Sequence, residues 1–152
     1  MEKATMTVKA IPEGYHSVTP ILVVKNAPGL IDFLKQAFDG KEKYRMKSPD
    51  GTIMHAEVAV GDSAIMLSEA TDQHSPVQSG IYLYVNDADT TYNKALKAGG
   101  ISVMPLEDQF WGDRSGCVKD PTGNNWWIAT HIEDLDPQEM QTREKEYMKQ
   151  KH

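Results

Sequence analysis

Residues 111–127 read WGDRSGCVKDPTGNNWW, and this stretch decides the fold. It holds all three tryptophans and the single cysteine of the chain. Cys117-Val118-Lys119 has the composition of a short strand. Asp120-Pro121-Thr122-Gly123 then turns, because proline presets φ at the second turn position and Gly123 tolerates a positive φ. Trp126-Trp127-Ile128-Ala129 leaves the turn as a second strand. Adjacent strand residues point to opposite faces of a sheet, so the two tryptophans must have different neighbours. One belongs in a core; the other lines something else.

The hairpin has an echo upstream. Val24-Lys25-Asn26 and Val85-Asn86-Asp87 stand 61 residues apart, and Gly61 and Gly123, each ahead of a final strand, stand 62 apart. An internal repeat of about 60 residues follows, each half reading β-α-β-β-β. In the first half, Val18 to Val24 is a strand whose Pro20 marks an edge or an end. Asn26 caps a helix with Pro28 in its first turn and Gly40 past its end. Leu30, Ile31, Phe33, Leu34, Ala37 and Phe38 form its apolar stripe. Strands are expected over Lys43 to Lys47, Ile53 to Val60 and Ser63 to Ser68. In the second half, Ile81 to Val85 is a strand and Asp87 caps a helix running to Gly99-Gly100. Ile101 to Pro105 precedes the hairpin.

The expected organisation is an N-terminal arm (residues 1–14), a first module (15–70), a second module (80–133) and a C-terminal helix (134–152). A polar linker, Glu69 to Ser79, joins the modules. Asp136, Pro137 and Glu139 stand in capping-box order at the start of the last helix. Its thin apolar face, Met140 and Met148, suits loose packing or contact with a second chain.

Composition removes several classes of function. With 152 residues, 39% hydrophobic and 25% charged, the chain is sized for one domain or two small modules around a common core. One cysteine excludes an internal disulfide and a cysteine-rich zinc site. No apolar run approaches the ~20 residues of a membrane span. The first residues carry no apolar signal core, so a cytoplasmic location is expected. A net charge of −6 disfavours nucleic acid and anionic membranes as partners and suits a neutral or cationic ligand.

Side-chain alternation nominates site residues. From Ile53 to Val60, the residues Met54, Ala56, Val58 and Val60 make an apolar face, the natural seat for the first helix. His55 and Glu57 then share the opposite face, either as an acid/base pair or as a satisfied structural pair. Tyr82 and Tyr84 share one face of their strand; Trp127, Ala129 and His131 share another, leaving Trp126 and Ile128 for the second helix. The tyrosines and Trp127 either line a pocket or fill a closed barrel. Arg114 either clamps an acidic ligand group or pairs with Asp113 or Asp120.

An ordered series of short motifs resembles the vicinal oxygen chelate superfamily of glyoxalases, bleomycin- and fosfomycin-resistance proteins and extradiol dioxygenases, and more narrowly its PhnB-like branch. The series comprises VTPILVV (18–24), MHAE (54–57), GDS (61–63), WGDR (111–114), Asp120-Pro121-x-Gly123 and ATHIED (129–134). The resemblance implies an α+β fold of two βαβββ modules around a shared cavity, helices on the convex sides, in a homodimer. In metal-using members the ligands, typically His and Glu, come from the first and last strands of each module. Those places fall here on Thr19, Met66, Gly80 and Trp127, none a habitual metal ligand. No cofactor is therefore expected. A divalent metal reached through His16, His55 and His131 has no spacing to support it.

Three functions remain in view, the last of them protein interaction through the polar C-terminal helix. One is metal-free binding of a small molecule, cationic or antibiotic, by Thr19, Met66, Tyr82, Tyr84, Trp111, Arg114, Trp127 and His131. Another is a lyase or isomerase acting on a small carbonyl or phosphonate-like substrate, with His55 and Glu57 as the catalytic pair.

Overall fold

The structure, a computed structural model, describes residues 7–151. The first six residues of the expected arm, and His152, lie outside the described residues. The first module comprises β1 (Ile21–Val24), α1 (Ala27–Phe38), β2 (Lys41–Lys47), β3 (Ile53–Val60) and β4 (Ser63–Glu69). The second comprises β5 (Gly80–Tyr84), α2 (Ala88–Lys97), β6 (Ile101–Asp108), β7 (Asp113–Lys119) and β8 (Asn125–His131), followed by α3 (Pro137–Lys151). Each module is a four-stranded mixed sheet, ordered β1-β4-β3-β2 in the first and β5-β8-β7-β6 in the second. The first strand of each lies parallel to the last, and the other pairs are antiparallel.

The repeat is exact in register. Ile21 faces Met66 in the first sheet and Tyr82 faces Trp127 in the second, each residue 61 positions from its counterpart. It extends to the helix caps. The Asn26 side chain accepts from Gly29 N (3.1 Å), and Asp87 accepts from Thr90 N (3.1 Å). The end of each last strand then serves its own helix. Glu69 accepts from Asn26 N (2.8 Å) and Ala27 N (2.9 Å); Thr130, 61 residues on, accepts from Ala88 N (2.8 Å) through Oγ1. Glu69→Ala leaves two helix N–H groups without acceptors. A loss of about 1–2 kcal/mol is expected, a fall of about 3–6 °C in the midpoint of thermal unfolding. An unchanged midpoint by differential scanning calorimetry would show that water replaces Glu69 at no cost.

The apolar stripe of α1 is buried against Leu22, Val24, Ala56, Val58, Val60, Ile65 and Leu67. Helix α2 buries only Ala88, Tyr92 and Ala95, against Val118, Trp126 and Ile128. The two helices also pack on each other, so one core runs through both modules. Trp126 is fully buried, and its ring centroid lies 5.0 Å from that of Phe38 on α1. It therefore joins the modules instead of serving α2 alone. Its Nε1 donates to Asp120 Oδ2 (2.7 Å), while Asp120 Oδ1 accepts from Thr122 N (2.7 Å) and Gly123 takes φ 97°. The turn and the buried indole are one unit.

Four expectations needed correction. Strand β1 begins at Ile21, just past Pro20, and not at Val18. From His55 onward β3 alternates as anticipated, but Ile53 is buried (2% exposed) and Met54 is open (44%). The β2–β3 register shifts between Met46 and Lys47, opposite this point, and the irregularity rotates the start of the strand. Strand β6 passes through Pro105 to Asp108, because the proline sits on an edge strand at a register shift. Strand β7 begins four residues before Cys117, at Asp113.

The open side of each sheet faces away from its helix. Ile21, Tyr44 and Met46 are exposed on the first sheet or its edge, and Tyr82 and Tyr84 on the second. Helix α3 starts from Asp136, whose carboxylate accepts from Glu139 N (2.8 Å). It rests on the loop before β7, with Tyr147 and Phe110 ring centroids 4.8 Å apart.

Candidate functional site

The open face of the second sheet is organised around one carboxylate. Asp113 opens β7 directly opposite His131 of β8, and it is 1% exposed. Its Oδ2 accepts from the hydroxyls of Tyr82 and Tyr84, both at 2.8 Å, and from Trp111 Nε1 at 3.0 Å. Its Oδ1 lies 2.8 Å from His131 Nδ1. Trp111 reaches the cluster because Gly112 takes φ 98° and its carbonyl accepts from Ile132 N and Glu133 N. A side chain at Gly112 would collide with the Glu133 carbonyl, at 2.5 Å. Nearby, the Trp127 ring lies over Gly80, where a methyl group would come within 2.9 Å of Cζ3.

These contacts set the ionisation of the cluster. Burial alone pushes the Asp113 carboxyl up, but hydrogen bonds from His131, Tyr82, Tyr84 and Trp111 outweigh it and hold the group below the usual carboxylate range. The same carboxylate raises Tyr84 to about 12; Tyr82 is raised by burial and then by Asp113. His131 is raised by Asp113 and then by Asp134, whose Oδ1 lies 2.7 Å from Nε2. Each ring nitrogen faces a carboxylate, so both contacts favour the imidazolium. A raised histidine contributes stability that is present below its unfolded pKa, ~6.5, and lost as pH rises through the folded value. The thermal midpoint should therefore sag above neutrality in wild type and lose that component in His131→Gln. Parallel profiles for the two proteins would contradict this.

The tyrosines face a space shared by the modules. An open cleft of about 1370 Å3 is lined by Tyr82, Tyr84 and His131, by Phe38 and Asp39 at the end of α1, by the β3–β4 turn and by the start of α2. Lys94 spans it to Asp39 (2.8 Å). Tyr82 is 40% and Tyr84 60% exposed, and both line this cleft.

The other nominated residues fall elsewhere. Arg114 lies between α2 and β6, where its guanidinium forks onto Asp89 (2.8 and 2.9 Å) and reaches Asp108 (3.1 Å). Its partners are thus neither Asp113 nor Asp120. His55 Nε2 lies 3.3 Å from Glu57 Oε2 on the open face of the first sheet, with the Tyr44 ring centroid 6.3 Å from that of His55. Thr19, Met66, His55, Glu57, Trp111 and Arg114 do not line the cleft; neither does Trp127, although it shares the sheet with the tyrosines. The structure gathers Tyr82, Tyr84, Trp111 and His131. Asp113 is the residue that sequence reasoning passed over as a ligand contact. Its signal was present: two tyrosines and a histidine expected near one another need a common acceptor.

The sequence profile of the Glyoxalase/Bleomycin resistance protein/Dioxygenase superfamily matches residues 14–128, most of both modules. The chain belongs to the glyoxalase/bleomycin resistance protein/dioxygenase superfamily. It is 35% identical over 148 residues to the uncharacterized protein Rv0887c of Mycobacterium tuberculosis, covering 90% of this chain and 85% of the relative. Among solved structures, TioX from Micromonospora sp. ML1 superposes with a TM-score of 0.65 at 24% identity, over 75% of this chain and 97% of that one. A PhnB protein from Bacillus cereus, described as a putative 3-demethylubiquinone-9 3-methyltransferase, gives 0.59 at 18% identity over 76% and 99%. At these identities the structural likenesses speak for the fold.

Within this superfamily framework the four anticipated ligand places can be tested for fit. Met66 lies beside Ile21 and Trp127 beside Tyr82, with Gly80 under the Trp127 ring and Thr19 just before β1. A thioether, an indole, a hydroxyl and a glycine do not form a donor set for a divalent cation. Among the described residues no group of three His, Cys, Asp or Glu side chains converges to hold one. The residues present do not fit the superfamily's metal.

Proposed function

We propose that this superfamily member is a small-molecule binding protein that holds a flat, cationic ligand on Tyr82 and Tyr84 without a metal ion. One observation carries this: both tyrosines are exposed and line the cleft while their hydroxyls are fixed on the same buried carboxylate. Rings held in place lose little freedom when a ligand lands on them. A cation over a tyrosine face gains about 0.5–2 kcal/mol, and Asp113 behind the rings adds to the attraction. Protection of the cell by stoichiometric capture, in the manner of bleomycin-resistance proteins, is the corresponding role. A second copy is part of the proposal, since the exposed Ile21, Tyr44 and Met46 suit a homodimer contact. The net charge of −6 speaks against nucleic acid, and no helix among the described residues is long and apolar enough to cross a membrane.

The test is a thermal-shift titration with 9-aminoacridine and other planar cations, using protein dialysed against chelator. A saturable rise in the unfolding midpoint is expected, and Tyr84→Ala should remove it. If no planar cation stabilises the protein, the proposal fails. A second function is favoured by a separate observation, the His55–Glu57 contact on an accessible face. A lyase or isomerase using that pair would turn over a small carbonyl or phosphonate-like compound. Its activity would have to vanish in both His55→Ala and Glu57→Gln.

A further inference from the structure

The four outer strands of the two sheets are protected unequally. Strand β2 carries Lys41, Lys43, Arg45 and Lys47, and β6 carries Pro105, Glu107, Asp108 and two register shifts, all devices that discourage pairing with another chain. Strand β1 is strapped. In a parallel ladder alternate residues turn their N–H and C=O groups toward the neighbour, and those between turn away. Pro20 O accepts from Met66 N (3.0 Å) and Val24 O from Ala70 N (2.8 Å), so Ile21 and Val23 face outward. There the linker returns, and Val77 N donates to Val23 O (3.1 Å).

Strand β5 has none of this. Ser79 O accepts from Asn125 N (2.9 Å) and Val85 N donates to Ala129 O (2.8 Å), so Gly80, Tyr82 and Tyr84 turn their main-chain groups away from β8. Tyr84 stands 61 residues after Val23, at the equivalent place. Among the described residues no strand or strap bonds the outward groups of Tyr82 or Tyr84. The strand's sequence, GIYLY, contains no proline and no charge. The bare edge opens onto the cleft.

We propose that the outer edge of β5 is a strand-addition site that takes a short, extended peptide bearing cationic side chains. This goes beyond the flat-cation reading: the two share the cleft, and the adjoining edge takes a ligand of its own. Donor and acceptor sets at alternate residues recur every ~6.6 Å, a spacing that an extended amide chain matches and a compact heterocycle does not. The alternate side chains of such a peptide would stand on the same side as Tyr82 and Tyr84. The cleft lining holds three carboxylates, Asp39, Asp62 and Asp87, against two lysines, Lys41 and Lys94, with Asp39 paired to Lys94; in a chain of net charge −6 this balance favours a cationic over an anionic peptide.

The probe is acetyl-Lys-Val-Thr-Val-Lys-amide, compared with a twin N-methylated at every residue, on the full chain labelled with nitrogen-15. Saturating peptide should slow hydrogen exchange at the Tyr82 and Tyr84 amides at least tenfold, and the methylated twin less than twofold. Equal binding of the twin, or peptide binding without protection at those two amides, overturns the proposal. Protection of the same amides in free protein, rising with protein concentration, assigns the edge to a second copy and also overturns it. A parallel titration with 9-aminoacridine separates the two readings. Acridine binding without peptide binding removes the edge site and leaves the flat-cation function; edge protection without acridine binding does the reverse; neither signal sinks both.

Discussion

Asp113→Ala is expected to lower the thermal midpoint by about 5–12 °C and to abolish binding of planar cations. Four donors converge on this one carboxylate, from β5, β8 and the loop before β7. Without it the hydroxyls of Tyr82 and Tyr84 turn to water, which they can reach, so the loss is smaller than for four buried orphans. Hydrogen bonds to a charged group are worth about 1.5–3 kcal/mol when buried; partial exposure of the donors brings the whole change to about 2–4 kcal/mol. The functional loss is larger in proportion, because the ring faces no longer hold one orientation. Asp113→Asn separates charge from shape. It should keep most of the stability, yet a proton titration followed by NMR should show the His131 pKa falling back toward its ordinary value. A depressed carboxylate contributes stability that is present above its unfolded pKa, ~3.9, and lost as pH falls through the folded value. Wild type should therefore lose part of its stability on acidification, and Asp113→Ala should not show that component. Identical melting of Asp113→Ala and wild type at neutral pH would remove the cluster from the account of this site.

Trp126→Ala should be the most damaging single substitution outside that cluster. Truncating a fully buried tryptophan costs about 3–5 kcal/mol, and the buried carboxylate of Asp120 loses its Nε1 donor as well. That is a large part of the ~5–15 kcal/mol that holds a domain of this kind together. Because the ring also touches Phe38, both modules should melt together in the mutant, in one broadened or lowered transition. Trp126→Phe keeps the apolar contact but strands the Asp120 oxygen, so an intermediate cost of about 1–3 kcal/mol is expected. Two resolved transitions in calorimetry, one unchanged from wild type, would show that the modules do not share a core.

Much of this was legible in the residues. The period of about 60, the capping residues Asn26, Asp87 and Asp136, and the turn at Asp120 are local signals, and each specifies its geometry within a few positions. The alternation of β3 was readable for the same reason, except where the register shift turned Ile53 inward. What stayed hidden depends on partners distant in sequence. Arg114 has acids at 113 and 120, but the fold places Asp89 and Asp108 closer to it. Asp113 stands out in the sequence only as a neighbour of Arg114, because its four donors come from 29 and 31 residues upstream, two residues upstream and 18 residues downstream. Glu69 carries no sign in the sequence that it would cap a helix 42 residues earlier.

The three indoles of residues 111–127 end in three settings, and their light emission should report on them separately. Trp126, sealed between Phe38 and Asp120, is shielded from aqueous quenchers and should emit at the blue end until the core opens. Trp111 sits within 3.2 Å of the Tyr82 hydroxyl, so a ligand over the tyrosines should dim it while leaving the blue component unchanged. Trp127, stacked over Gly80 and away from the cleft lining, supplies an internal reference. With no label attached, the native protein thus carries one chromophore for occupancy and another for integrity.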